Sequence, residues 1–171
     1  MKKLITLFLL LTMVVGLVAC GSTGNNETDD QSQDESDLAY VEGNGKLIIG
    51  YTDYAPMNYT DESGTFTGFD TELATLVSEK LGLEPQFVEI NWDTKEVELN
   101  AKSIDCIWNG LTISDERKAT MEVTQPYIKN AQVVVVKEGT EYEDTSSLIG
   151  KNIAAEQGSA GETTIQGDDN L

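Results

Sequence analysis

"FDTELATLVSEKLGLEPQFVEIN", residues 69–91, decides the fold reading. Phe69, Leu73, Leu76, Val77 and Leu81 recur at helical spacing, and Gly82 is a stop signal for that helix. Residues 85–91, "PQFVEIN", then alternate as a strand. Upstream, "KLIIG" (46–50) is a short apolar run of the kind a buried strand requires, and Pro56, Gly64 and Gly68 mark a loop and a tight turn before the helix. Downstream, "WDTKEVELNAK" (92–102) has a weaker helical pattern and "IDCIWNG" (104–110) reads as a third strand. Strand, helix, strand, helix, strand predicts a parallel sheet with right-handed crossovers. Ligands of such sheets bind beyond the carboxyl ends of the strands. Asp53 and Tyr54, Trp92, and the run from Asn109 to Arg117 all fall at those ends, and are expected to converge on one crevice.

The ends of the chain have a different character. "MKKLITLFLLLTMVVGLVAC" (1–20) places two lysines before an apolar run that is short for a membrane span, the layout of a secretory signal peptide. It closes on Leu17-Val18-Ala19-Cys20, which resembles the lipobox of bacterial lipoproteins, so residues 1–19 are expected to be removed and Cys20 lipidated. Residues 21–37, "GSTGNNETDDQSQDESD", carry six acidic side chains, no basic one and no apolar one; 20–40 is read as the lipidated cysteine and a solvated tether. About 130 residues follow, enough for one core. Beyond "LTISDERKATMEV" (111–123), read as a helix capped by Thr112 or Ser114, come a strand at 131–137, a polar loop, a strand at 152–156, and a helix headed by Ser159 with Glu162 at capping-box spacing.

Composition excludes whole classes of chemistry. The chain has no histidine, which removes Ser–His–Asp and Cys–His arrangements and histidine metal sites, and no metal or cofactor is expected. With Cys20 lipidated, Cys106 has no partner and reads as a small buried apolar residue. A net charge of −19 makes nucleic acid and anionic lipid poor partners. Arg117 is the only arginine among eleven basic residues. Its planar fork can grip a carboxylate with two parallel hydrogen bonds, as no lysine can. Two helix starts, at 112–115 and 159–162, offer further N–H groups to an anion.

The run "GFDTELATLVSEKLGL…INWDTKEVELNAKSIDCIWNGLTISDERKATMEVTQPY" resembles the family 3 extracellular solute-binding proteins, the polar amino-acid receptors of ABC importers. The resemblance covers about Lys46 to Glu162. It implies an α/β fold of the type II periplasmic-binding-protein kind, two lobes closing on a ligand, with lobe 1 (41–137) nearly complete and lobe 2 only begun in 138–171. It implies that Arg117 binds the ligand α-carboxylate with help from Thr112 and Ser159, that Gly110 offers a carbonyl to the α-amine, that Tyr54 and Trp92 stack on the ligand side chain, that Asn109 lines the pocket, and that Gln157-Gly158-Ser159 forms the facing turn.

By the same resemblance the partners are a free, polar amino acid, ABC permease subunits, and a membrane reached through the lipid on its extracytoplasmic face. Family members continue past this point, so the chain reads as C-terminally truncated: a fragment of a receptor, or a truncated receptor without function. A dehydratase resembling cyclohexadienyl dehydratase is the enzymatic alternative on this fold; Asp53 or Glu156 would have to move its proton. Taken alone, Thr112 and Ser159 also fit plain helix caps, Trp92 a core lid, Trp108 a core residue and Asp70 a helix cap.

Overall fold

Asp70, the residue expected to cap the long helix, does something else, and the reason shows how the fold is assembled. The computed structural model describes residues 36–171. The expected leader, the lipidated Cys20 and nearly all of the tether lie outside the described residues. The first helix, α1 (Asp37–Asn44), starts slightly earlier than the expected boundary at Tyr40, because the Ser36 hydroxyl accepts from the Ala39 N–H at 3.2 Å and caps it. Then follow β1 (Lys46–Tyr51), the short hairpin strands β2 (Tyr59–Thr60) and β3 (Phe66–Thr67), helix α2 (Phe69–Leu81) and β4 (Glu84–Glu89). A 3₁₀ turn (Trp92–Thr94) runs into α3 (Lys95–Asn100), and β5 is Cys106–Ile107. Helix α4 (Asp115–Thr120), a second 3₁₀ turn (Thr145–Leu148) and α5 (Ala160–Gln166) complete the order.

The expected parallel sheet is present, in the order β4-β1-β5. Ile49 on the central strand pairs with Phe87 on one side and Cys106 on the other, and is fully buried. Beside it, Gly50 has no side chain because Ile104 takes the space: a Cβ there would lie 2.6 Å from Ile104 Cδ1. Burial pushes the Cys106 thiol up to about 12, so it stays protonated and behaves as a small apolar group.

Helix α2 has no side-chain cap. Its leading N–H groups are met instead by main-chain carbonyls: Phe69 N–H donates to Pro56 (3.0 Å) and Asp70 N–H to Met57 (2.9 Å). That approach is so close that residue 68 must be glycine; it has φ +127°, and a Cβ would fall 2.2 Å from the Met57 carbonyl oxygen. With the cap position filled, the Asp70 carboxylate turns inward, is fully buried, and accepts from the Tyr127 hydroxyl at 2.8 Å. Its second oxygen, Oδ2, and Trp108 Nε1 are both buried with no hydrogen-bond partner among the described residues. Burial therefore raises the Asp70 carboxyl above its ordinary 3.8, against the opposing hydroxyl of Tyr127.

Three expectations are corrected. The helix expected over 111–123 is only Asp115–Thr120, and its cap is Ser114, whose hydroxyl accepts from Arg117 N–H at 3.2 Å; Thr112 is not the cap. The third strand is two residues long rather than seven. The strands expected at 131–137 and 152–156 are irregular chain. Val133 (77% exposed) and Val135 (91%) alternate with Val134 (39%) and Val136 (38%) as a strand's faces would. A strand also needs a neighbour for its N–H and C=O groups, and among the described residues none pairs with this segment.

Gly68→Ala should destabilise the protein by about 3 kcal/mol or more, because both the positive φ and the Met57 contact oppose a Cβ; chemical denaturation checks it. Asp70→Asn should change how stability depends on pH. A carboxyl raised on folding keeps its proton in the native state after the unfolded chain has lost it, so its contribution falls as pH rises from 3.8 through the higher native value. Unfolding measured from pH 3 to 7 should show the wild type losing stability relative to Asp70→Asn across that window; parallel curves would contradict the assignment.

Candidate functional site

The carboxyl ends of β1 and β5 and the start of α2 meet through one buried amide network. Asn109, just after β5, is 4% exposed and donates from Nδ2 to the Thr52 carbonyl (2.8 Å) and to Asn58 Oδ1 (2.8 Å), while its Oδ1 accepts from the Thr52 hydroxyl (2.8 Å). Asn58, fully buried, donates on to the Thr71 hydroxyl of α2 at 3.1 Å. The loop after β1, the end of β5 and the start of α2 are thereby fixed to one another. Nothing in the sequence marked Asn58. The Asn109 side chain is committed to this frame, so it holds the pocket wall in place and is not a free ligand donor.

On that frame Tyr54, about half exposed, lies against Gly110: a Cβ at Gly110, whose φ is +62°, would be 3.3 Å from Tyr54 Cε1. The missing side chain and the left-handed backbone let the aromatic ring cover this turn. A cavity of about 920 Å³ opens beside Tyr54, Asn109, Gly110 and Thr112 and continues along Leu47, Val77 and Leu81. Its far end is apolar and suits packed chain rather than a zwitterion, whose charged groups need polar partners once dehydrated. The polar side of the site lies across Thr112, outside the cavity lining.

There Arg117 and Lys95 converge on one carbonyl oxygen, that of Gly158. Arg117 donates from Nη1 to the Thr112 carbonyl (2.7 Å) and from Nη2 to the Gly158 carbonyl (3.3 Å). Lys95 donates to the same Gly158 carbonyl (3.0 Å) and to the Trp92 carbonyl (3.0 Å), with its ammonium 5.0 Å from the centre of the Trp92 ring. Burial and the neighbouring Arg117 hold the Lys95 ammonium below its ordinary pKa. Gln157 Nε2 donates to Asp93 Oδ2 at 2.9 Å, and the glycine at 158, with φ +71°, lets the turn come within 3.0 Å of the Asp93 backbone, measured from where a Cβ would stand. Gly158 N–H donates to Glu162 Oε2 (2.7 Å), and Ser159 Oγ accepts from Glu162 N–H (3.1 Å), so Ser159 caps α5 while its own proton stays available to donate.

Of the expected residues, Tyr54, Asn109, Gly110 and Thr112 line the cavity, while Trp92, Arg117, Gly158 and Ser159 lie in the polar cluster on the other side of Thr112. Trp92 is 8% exposed, so it serves as a wall that is largely covered. The helices behind Ser114 and Ser159 are six and seven residues long. Their dipoles are correspondingly small, and the full charge of Arg117 dominates the local field. Asp53 and Glu156 are exposed. Lys95 and Asp93 were not anticipated; Lys95 sits three residues after Trp92 and four before Leu99, a helical spacing that puts a cation on an inward face.

Comparison with known proteins agrees with this architecture. The L-cystine-binding protein TcyA of Bacillus subtilis is 29% identical over 157 residues, spanning 90% of this chain and 58% of that protein. The crystal structure of a substrate-binding protein of an ABC uptake transporter from Streptococcus pneumoniae, with bound histidine, superposes with a TM-score of 0.72 at 34% identity, covering 77% of this chain and 54% of that one. An ancestral amino-acid-binding protein, a precursor of cyclohexadienyl dehydratase, superposes with a TM-score of 0.63 at 31% identity, covering 66% of this chain and 51% of that one. This chain spans somewhat more than half the length of TcyA and of the Streptococcus pneumoniae protein. Residues 47–163 match the sequence pattern of one family, and the chain belongs to it: the bacterial extracellular solute-binding proteins, family 3.

Proposed function

We propose that the protein is the substrate-binding component of an amino-acid ABC importer, lipid-anchored through Cys20 on the extracytoplasmic face of the membrane, which hands a free polar amino acid to permease subunits. The observation that carries this reading is the position of the Arg117 guanidinium. It reaches the carbonyls of Thr112 and Gly158, which lie on segments 46 residues apart in sequence, and its fork therefore stands where both meet. A carboxylate entering there meets a planar bidentate donor, the Thr112 hydroxyl, which is not engaged in capping, and the Ser159 hydroxyl. That set answers the main cost of the reaction, which is removing an α-carboxylate from water. Of the two aromatic residues, Tyr54 covers the Gly110 turn and Trp92 stands under the Lys95 ammonium; we assign both to the ligand side chain, and the Gly110 main chain to the amine.

The TcyA and Streptococcus pneumoniae relatives are named for cystine and for bound histidine, both amino acids with polar side chains, and the reading of a polar ligand follows them. A dehydratase gains no support from the geometry. Asp53 and Glu156, the two carboxylates that would have to move the proton, are both exposed to solvent.

In the complete protein, Arg117→Ala should lower amino-acid affinity by about a thousandfold, since a buried carboxylate loses its charged partner. Arg117→Lys should recover only part, because a point charge replaces a bidentate fork. Isothermal titration with the cognate amino acid reads both. Arg117→Ala binding as the wild type does would remove this role from Arg117.

A further inference from the structure

Two cations meet at the Gly158 carbonyl, and they are not equivalent. Lys95 is 4% exposed, and its ammonium has three directions to fill. One N–H goes to the Trp92 carbonyl and one to the Gly158 carbonyl, both at 3.0 Å, while the third side of the ammonium faces the Trp92 ring. Nothing of this group is left for a ligand. The Arg117 guanidinium reaches the same Gly158 oxygen at 3.3 Å with one of its five N–H groups and, among the described residues, is held elsewhere only at the Thr112 carbonyl.

Resting on the proposed amino-acid-binding role, we propose that Lys95 is a positioning residue: it clamps the 157–159 turn to the turn carrying Trp92, so that Arg117 can release Gly158 and engage a carboxylate without the facing turn coming loose. The rest of the contact fits a clamp. Gln157 holds Asp93 from the same turn at 2.9 Å, and Gly158 is the residue whose missing Cβ lets the two turns touch, a Cβ there standing 3.4 Å from the Lys95 nitrogen. Ser159 follows directly, so the position of its hydroxyl depends on where Gly158 is held. The buried ammonium also explains why this helix face tolerates a lysine: both carbonyls and the indole ring replace the water it has lost.

The test is hydrogen exchange at the Ser159 and Glu162 amides of the complete protein, read by NMR beside ligand titration. Lys95→Met keeps the length of the side chain and removes the donors. It should speed exchange at both amides about tenfold or more and weaken amino-acid binding by a similar factor, as expected for loss of hydrogen bonds from a charged donor. A folded Lys95→Met variant with wild-type exchange at these amides overturns the proposal, whatever its affinity. Should that variant not fold, Lys95→Gln and a lysine ¹⁵Nζ spectrum of the wild type give the second reading. One ammonium signal protected from solvent, lost in Lys95→Gln, supports the clamp, and a wild-type spectrum with no protected ammonium overturns it. A wild type that binds no amino acid would end the functional reading alone, because exchange reports on Lys95 independently of ligand.

Discussion

The buried amide pair Asn58–Asn109 is the constraint on which the site depends. Parallel strands end in loops that have no sheet partner of their own, and something must fix those loops if side chains on them are to act together. Here Asn109 uses both N–H groups and its oxygen on Thr52 and Asn58, and Asn58 reaches α2 through Thr71. Asn58, Thr71 and Asn109 are buried and Thr52 partly so, and these groups are paired with one another, which makes the network rigid and makes a broken member costly. The Gly110 turn that follows Asn109 is consequently held under Tyr54, and the chain leaves it in the direction that delivers Thr112 and Arg117.

A second constraint is the close approach of main chain to main chain. Gly68 lets the carbonyls of Pro56 and Met57 cap α2, and Gly158 lets the facing turn rest on Asp93. In the first of these places a side chain that would otherwise cap is displaced to another task. At α2 the displaced group is Asp70, which becomes a buried acceptor for Tyr127 and joins Tyr127 and Trp108 in one cluster, the two rings 6.2 Å apart. At the facing turn the close contact brings the Gly158 carbonyl within reach of two cations.

Much of this was legible in the sequence, and the illegible part has physical causes. Apolar spacing located α2 and the strands at 46–50 and 85–91, because those elements bury one face within the described chain. The same spacing named strands at 131–137 and 152–156 that have no neighbour to pair with among the described residues, since periodicity records a buried face and not the partner that covers it. Asp70 was read as a cap because an aspartate at a helix start usually is one; main-chain capping through a glycine leaves no side-chain signature. Asn58 and Lys95 carry roles set by residues 51 and 63 positions away, a distance at which sequence pattern gives no warning.

The proposed function rests on recognition of an α-carboxylate by Arg117. Its most direct test is calorimetric: titrate the complete wild-type protein with free amino acids, then repeat with the α-carboxamide of the tightest binder. One or more polar amino acids should bind, and the amide, which keeps the side chain and amine but lacks the charge, should not bind measurably. Equal affinity for acid and amide would contradict it, as would the absence of binding by every free amino acid.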